Sequence, residues 1–243
     1  VLIAVPAAYP ESTLGGSDPA AWKGKKVISA VKGLLPGSNL LLNDYLFQHA
    51  ELPLTDYFAL LGPSHAEEVA AEKLSYLTFS GMDTSMAERI AALFSNDYIN
   101  TLVNDDILGV QYAAILKNVY ALGAGIANGL DYGDNFISVL ISNAAIEMKR
   151  FIDTAHDIDR DIKSSPYLGD LLVTAYSVNS RNRTLGMMVG QGYTVKAAVI
   201  EMNMVAEGMT GSKGIYEMNK RLNVDMPIAE SVYRVLHERM SPI

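Results

Sequence analysis

The stretch Ile107–Leu130, ILGVQYAAILKNVYALGAGIANGL, limits the fold of this chain more than any other. It is the longest apolar region, its apolar residues recur at helical spacing, and few breakers interrupt it. A membrane span rarely carries amides and a lysine at mid-depth, yet Gln111, Lys117, Asn118 and Asn128 all fall inside it. The stretch therefore reads as a buried helix of a globular protein, and no membrane span is expected. Asp134–His156 is a second long helical segment. Thr210–Leu222 and Pro227–Arg239 read as shorter amphipathic helices, the latter with proline near its first turn.

Before Asp105 the pattern is different. Short apolar runs (VLIAV at 1–5, KVISAV at 26–31, YFALL at 57–61, SYLTF at 75–79 and a last one at 98–102) alternate with other segments. Three of those segments, Asn39–Ala50, Ser64–Ala71 and Asp83–Phe94, have helical patterns. Such alternation predicts an α/β sheet. VLIAV, closed by Pro6, reads as a strand buried on both faces, the kind found in parallel sheets. The expected plan is α/β followed by all-α: residues 1–104 as a doubly wound sheet domain and 105–243 as a helical domain. Asn104-Asp105-Asp106 would cap the first long helix.

Composition narrows the function classes. A chain of 243 residues with 49% hydrophobic and 19% charged residues is globular and can bury a sizeable core. A net charge of −8 argues against a nucleic-acid surface, although a few local cations could still hold a small anion. With no cysteine there is no disulfide framework, thiol nucleophile or thiolate metal site, which fits the cytoplasm. His49, His65, His156 and His237 are scattered without ligand spacing, and no metal is expected. Asp157, Asp159 and Asp161 alternate as at the start of a calcium loop. Ile162 and Leu168 stand where its glycine and closing glutamate belong, so the segment reads as a solvated acidic turn.

The dinucleotide fingerprint G-x-G-x-x-G is absent. Gly123, Gly125 and Gly129 have the wrong spacing and sit inside the helical stretch, where small residues let helices approach closely. Gly62-Pro63-Ser64-His65-Ala66-Glu67 follows the YFALL run as a strand-to-helix turn, with Ser64 and Glu67 placed for a capping box. It reads either as a well-made junction or as a helix N-terminus presented to a ligand anion. Lys117 has Ala113, Ala114 and Ala121 as helical neighbours. Burial there is costly unless the lysine is paired or used. Burial would also lower its pKa and suit it to act as a general base, while the alternatives are snorkelling or a structural ion pair. Ser180-Arg181-Asn182-Arg183 could hold a phosphate or carboxylate, or simply start a helix.

Taken in order, these motifs resemble one family over essentially the whole chain: the NAD(P)-dependent sn-glycerol-3-phosphate dehydrogenases, in the bacterial form that feeds phospholipid synthesis. The carrying stretches are AVPA at 4–7, AVKGLLP at 30–36, GPSHAEEVA at 62–70, the 105–130 segment, LGDLLVT at 168–174, SRNRTLG at 180–186 and AEGMTGSKGIYEMNKRLNVDMPIAESVYRVL at 206–236. The resemblance implies a partial Rossmann-like sheet and a helical substrate domain. It also implies that VLIAVPA follows a preceding half-domain of roughly 70–80 residues, which would hold the glycine fingerprint.

The implied reaction interconverts sn-glycerol 3-phosphate and dihydroxyacetone phosphate with NAD or NADP, in a cytoplasmic homodimer. By resemblance, Lys117 is the proton acceptor and Lys32 a second lysine near substrate and nicotinamide. Gly62, Ser64, Asn118, Asp170, Thr174, Ser180, Arg181 and Asn182 would bind substrate, and Ala66, Arg181, Val205 and Glu207 would face the cofactor. Two further readings are a non-catalytic sugar-phosphate-binding or dimerisation module and a related hydroxyacid or ketoacid reductase.

Overall fold

The structure is a computed structural model that describes residues 1–202 and 206–242. The chain forms two compact units, Val1–Gln111 and Tyr112–Ile243.

The first unit is built on a five-stranded sheet in the order β1 (Leu2–Ile3), β2 (Val27–Ser29), β3 (Tyr57–Leu61), β4 (Ser75–Ser80) and β5 (Ile99–Asn104). Each expected apolar run supplies one strand. β1, β2 and β3 pair in parallel, β4 turns antiparallel to β3, and β5 runs parallel to β4. β3 lies in the middle and all its residues are buried, which is why YFALL reads as an unbroken apolar run. Helices α1 (Pro10–Leu14), α2 (Leu42–Ala50), α3 (Ala66–Ala70) and α4 (Thr84–Ala92) fill the connections. Phe58 and Phe79 pack with Ala87 and Ile90 of α4 to form a core on one face of the sheet. The Asp83 side chain caps α4 by accepting the Met86 N–H at 2.9 Å.

Two expectations for this unit are corrected. VLIAV is not a strand buried on both faces: only Leu2–Ile3 pairs, at the edge of the sheet, with Val1 57% and Leu2 51% exposed. Ile3 turns inward and Leu2 outward, the alternation of a strand covered on one face. The capping box also fails. α3 starts at Ala66 with His65 in the capping position, and the Ser64 hydroxyl donates back to the Gly62 carbonyl at 3.1 Å. α3 is one short turn, too short to serve as an anion-binding helix end.

α5 (Ile107–Gly129) is the helix expected from the apolar stretch. By length and composition it could cross a membrane, but 83% of its most apolar window is buried inside the protein. Asp106 caps it by accepting the Gly109 N–H at 2.9 Å. Its buried polar residues Gln111, Lys117 and Asn118 have partners, whereas Asn128 is half-buried. Gln111 donates to Asn43 at 2.9 Å and accepts the Tyr57 hydroxyl at 3.0 Å.

The second unit continues with α6 (Gly133–Ala155), α7 (Asp170–Tyr176), α8 (Arg181–Gly190), α9 (Val195–Met202), α10 (Glu207–Leu222) and α11 (Pro227–His237). A single π turn, Ser165–Gly169, leads directly into α7. α5 and α8 cross at glycines from both helices: a Cβ on Gly125 would overlap the Arg183 carbonyl, and one on Gly186 would overlap the Leu122 carbonyl. The small residues in α5 thus serve close helix approach, as their spacing suggested. In the acidic 157–161 segment the aspartates are exposed, while Arg160 is buried and paired with Asp153.

Candidate active site

Lys117 lies halfway along α5 and is only 5% exposed. Snorkelling is therefore excluded. Its ammonium donates to Asp170 Oδ1 at 2.6 Å, and Asp170 is 1% exposed. Asp170 is the first residue of α7 and directly follows the π turn, a backbone irregularity frequent at functional sites. The pair is one the sequence offered as an alternative, a buried ion pair. One feature goes beyond structural pairing: Asp170 Oδ2 is buried and has no hydrogen-bond partner among the described residues. Leaving such an acceptor unmet costs about 1–3 kcal/mol. A ligand hydroxyl would satisfy it.

The neighbouring residues form a second polar chain. Asn118, next to Lys117 on α5, accepts from Asn182 Nδ2 at 2.9 Å, and Asn182 Oδ1 accepts the Gly208 N–H at 2.9 Å. The glycine crossing of α5 and α8 makes this reach possible. Ser180 caps α8 by accepting the Arg183 N–H at 3.3 Å, so its hydroxyl serves the helix first. The Thr174 hydroxyl donates to the Asp170 carbonyl one turn back at 2.6 Å. Arg181 is exposed on the first turn of α8 and makes no ion pair among the described residues.

In the first unit, Lys32 follows β2 in a loop, is partly exposed, and makes no side-chain hydrogen bond or ion pair among the described residues. Gly62 ends β3 with φ +115°, and a Cβ there would lie 2.7 Å from the Tyr76 carbonyl, so only glycine fits. Ala66 is exposed at the start of α3, Ser64 is partly buried beside it, and Glu207 opens α10. Val205 lies outside the described residues.

Sequence reasoning missed two positioning groups. Gly208 has just been described; its N–H closes the asparagine chain. The second is Glu11 of α1, whose carboxylate accepts the Gly37 and Ser38 N–H groups at 2.8 Å each and so pins the loop that carries Lys32. Burial pushes this carboxyl up, but the hydrogen bonds from Ser38 and Gly37 outweigh it and leave it below its ordinary value. The Pro36-Gly37 turn was the available signal for the loop. Nothing in the sequence pointed to Glu11 as its partner.

The family model for the N-terminus of NAD-dependent glycerol-3-phosphate dehydrogenase matches residues 1–87, and the one for its C-terminus matches residues 106–243. The chain belongs to the NAD-dependent glycerol-3-phosphate dehydrogenase family. A glycerol-3-phosphate dehydrogenase, NAD(P)+, of Chlorobium chlorochromatii is 34% identical over 239 residues, covering 98% of this chain and 72% of the relative. Its counterpart in Pediococcus pentosaceus is 39% identical, covering 87% of this chain and 63% of the relative. That of Staphylococcus aureus is 41% identical over 182 residues, 55% of its own length. Among solved structures, glycerol-3-phosphate dehydrogenase from Coxiella burnetii superposes with a TM-score of 0.89 at 25% identity, over 99% of this chain and 73% of that one. The Plasmodium falciparum enzyme shares the fold, with a TM-score of 0.85 at 23% identity. Within this glycerol-3-phosphate dehydrogenase fold, the Lys117–Asp170 pair and the Asn118–Asn182–Gly208 chain lie in the part matched by the C-terminal model.

Proposed function

We propose that this chain interconverts sn-glycerol 3-phosphate and dihydroxyacetone phosphate, with Lys117 moving the proton. The observation that carries the reading is the buried Lys117–Asp170 pair with its one unmet carboxylate oxygen. In reduction, the Lys117 ammonium gives a proton to the carbonyl oxygen at C2. In oxidation, the neutral amine takes the proton from the C2 hydroxyl. Asp170 Oδ1 holds the amine in place, and Oδ2 accepts a substrate hydroxyl. Asn118, Thr174, Ser180 and Asn182 orient the substrate, and the exposed guanidinium of Arg181 pairs with the phosphate.

When bound, the cofactor would donate the hydride as NADH or NADPH in reduction and accept it as NAD or NADP in oxidation. The first unit fits such a group: the parallel strands β1, β2 and β3 end at one edge of the sheet, where nucleotides bind in open α/β folds. That edge carries the unpaired cation Lys32 and the side-chain-free backbone of Gly62. Lys32 would neutralise charge developing on the substrate oxygen, and Ala66 and Glu207 would face the cofactor, as would Val205. On this reading residues 1–104 are the later part of a nucleotide-binding domain and residues 105–243 the substrate domain.

The setting is cytoplasmic, with the product feeding phospholipid synthesis. A homodimer is part of the proposal, supported by an apolar stripe on α6, where Phe136, Val139 and Ile146 are 44%, 60% and 58% exposed.

The test is oxidation of NADH and NADPH against a panel of dihydroxyacetone phosphate and 2-ketoacids. Turnover confined to dihydroxyacetone phosphate is expected. Turnover of ketoacids alone would make the protein a different reductase, and sugar-phosphate binding without turnover would make it a binding module.

A further inference from the structure

A cavity of about 990 Å3 lies in the helical unit, walled by the end of α8, by α9, by Met209 of α10 and by the end of α11 with the residues that follow it. Among the described residues, none of those proposed for substrate or cofactor lines it. Its size is at the upper end for small-ligand sites. Much of its wall is apolar, through Val199, Ile200, Met209 and Leu236, and Val199 and Ile200 remain 40% and 65% exposed.

Charge on the wall has one sign. In a chain of net charge −8, no aspartate or glutamate is among the described lining residues, whereas Lys196 and Arg239 are. Neither of those side chains makes a hydrogen bond or ion pair among the described residues. Arg239 has a left-handed backbone (φ 59°), and the Met240 N–H bonds back to the Arg234 carbonyl, which turns Met240–Pro242 along the wall. Leu130, Val235 and Met240–Pro242 also wall a second cavity of about 400 Å3, whose described lining holds no charged residue at all. Two free cations therefore stand on one side of a shared wall, with purely uncharged surface on the other.

We propose that this region binds a single-chain amphiphile with an anionic head, of the fatty-acid carboxylate class. The carboxylate pairs with Lys196 and Arg239, and the alkyl chain lies against Val199, Ile200 and Leu236 toward the uncharged side. A head of this sign is attracted where a cationic or neutral one is not, and the chain covers apolar surface that the protein leaves in water. The site does not depend on the redox reading.

The experiment is calorimetric titration of the chain with dodecanoate below its micelle concentration, beside dodecylammonium and dodecanol. Saturable one-to-one binding of dodecanoate is expected, weakened by about tenfold for dodecylammonium. Lys196→Glu with Arg239→Glu should reverse that preference, and Val199→Trp, at an exposed position, should abolish binding by filling the cavity. Equal binding of the two charged probes, no saturable heat with dodecanoate, or indifference to the charge reversal would overturn the proposal. So would sedimentation showing a second copy of the chain on this face, released as monomer by Val199→Trp. The comparison of probes on the unaltered chain needs no variant to fold.

Discussion

At the residue scale, the proposed chemistry turns on one buried ion pair, Lys117–Asp170. Removing one partner of such a pair strands the other charge, which typically costs 3–5 kcal/mol. Lys117→Ala should therefore lower both turnover and stability, because Asp170 keeps a buried carboxylate with no cation beside it. Lys117→Met with Asp170→Leu should recover most of the lost stability in urea unfolding, while turnover stays absent. Recovery of turnover in the double variant would remove both residues from the chemistry. Arg181 is a different case. It is exposed and makes no ion pair among the described residues, so Arg181→Ala should raise KM for dihydroxyacetone phosphate by about tenfold or more, with the unfolding curve unchanged. An unmoved KM would place the phosphate elsewhere.

At the element scale, the site depends on how closely α8 can approach α5. Gly186→Ala puts a methyl group into the Leu122 carbonyl, and backbone cannot yield as a flexible side chain can. A loss of about 1–3 kcal/mol or more is expected, together with a weaker Asn118–Asn182 contact and so a higher KM.

A second element-level device is Glu147 of α6. Its buried carboxylate accepts the Ile228 and Ala229 N–H groups at 2.9 Å each, capping α11, and the Tyr120 hydroxyl of α5 at 3.2 Å. Burial pushes this carboxyl above its ordinary 4.5 despite those hydrogen bonds and nearby Arg150. A group raised in the folded state stabilises fully below its unfolded pKa and loses that contribution as pH rises through the folded value. Stability should therefore contain a component that declines with rising pH above about 4.5, and Glu147→Gln should flatten it. An unchanged pH profile of the melting temperature in Glu147→Gln would contradict this.

Much of this level was legible in the sequence. The five apolar runs became the five strands, and Ile107–Leu130 became α5 because helical periodicity over that length has few other solutions. The polar residues inside α5 were visible as anomalies, but their partners were not. Asn43, Asp170 and Asn182 are far away in the chain, and only the fold brings them back. Of VLIAV only Leu2–Ile3 pairs in this chain, on one side, with β2. The Ser64 capping box was misjudged because a one-residue shift in the helix start gives the hydroxyl a nearer acceptor, the Gly62 carbonyl.

At the scale of the whole molecule, the chain has a sheet-bearing unit, Val1–Gln111, and a helical unit, Tyr112–Ile243, that holds the buried Lys117–Asp170 pair. The N-terminal family model matches residues 1–87 and the C-terminal one residues 106–243. The most direct test of the account is the rate of dihydroxyacetone phosphate-driven NADH oxidation in the unaltered chain and in Lys117→Arg. Arginine keeps a cation beside Asp170 but does not release its proton in proteins. For a protein that carries this chain together with the glycine-fingerprint half that the resemblance implies, the account predicts turnover, and a fall on the order of 10²–10⁴-fold in Lys117→Arg, with circular dichroism unchanged. A folded Lys117→Arg variant that works within a few-fold of the unaltered chain would show that Lys117 does not move the proton.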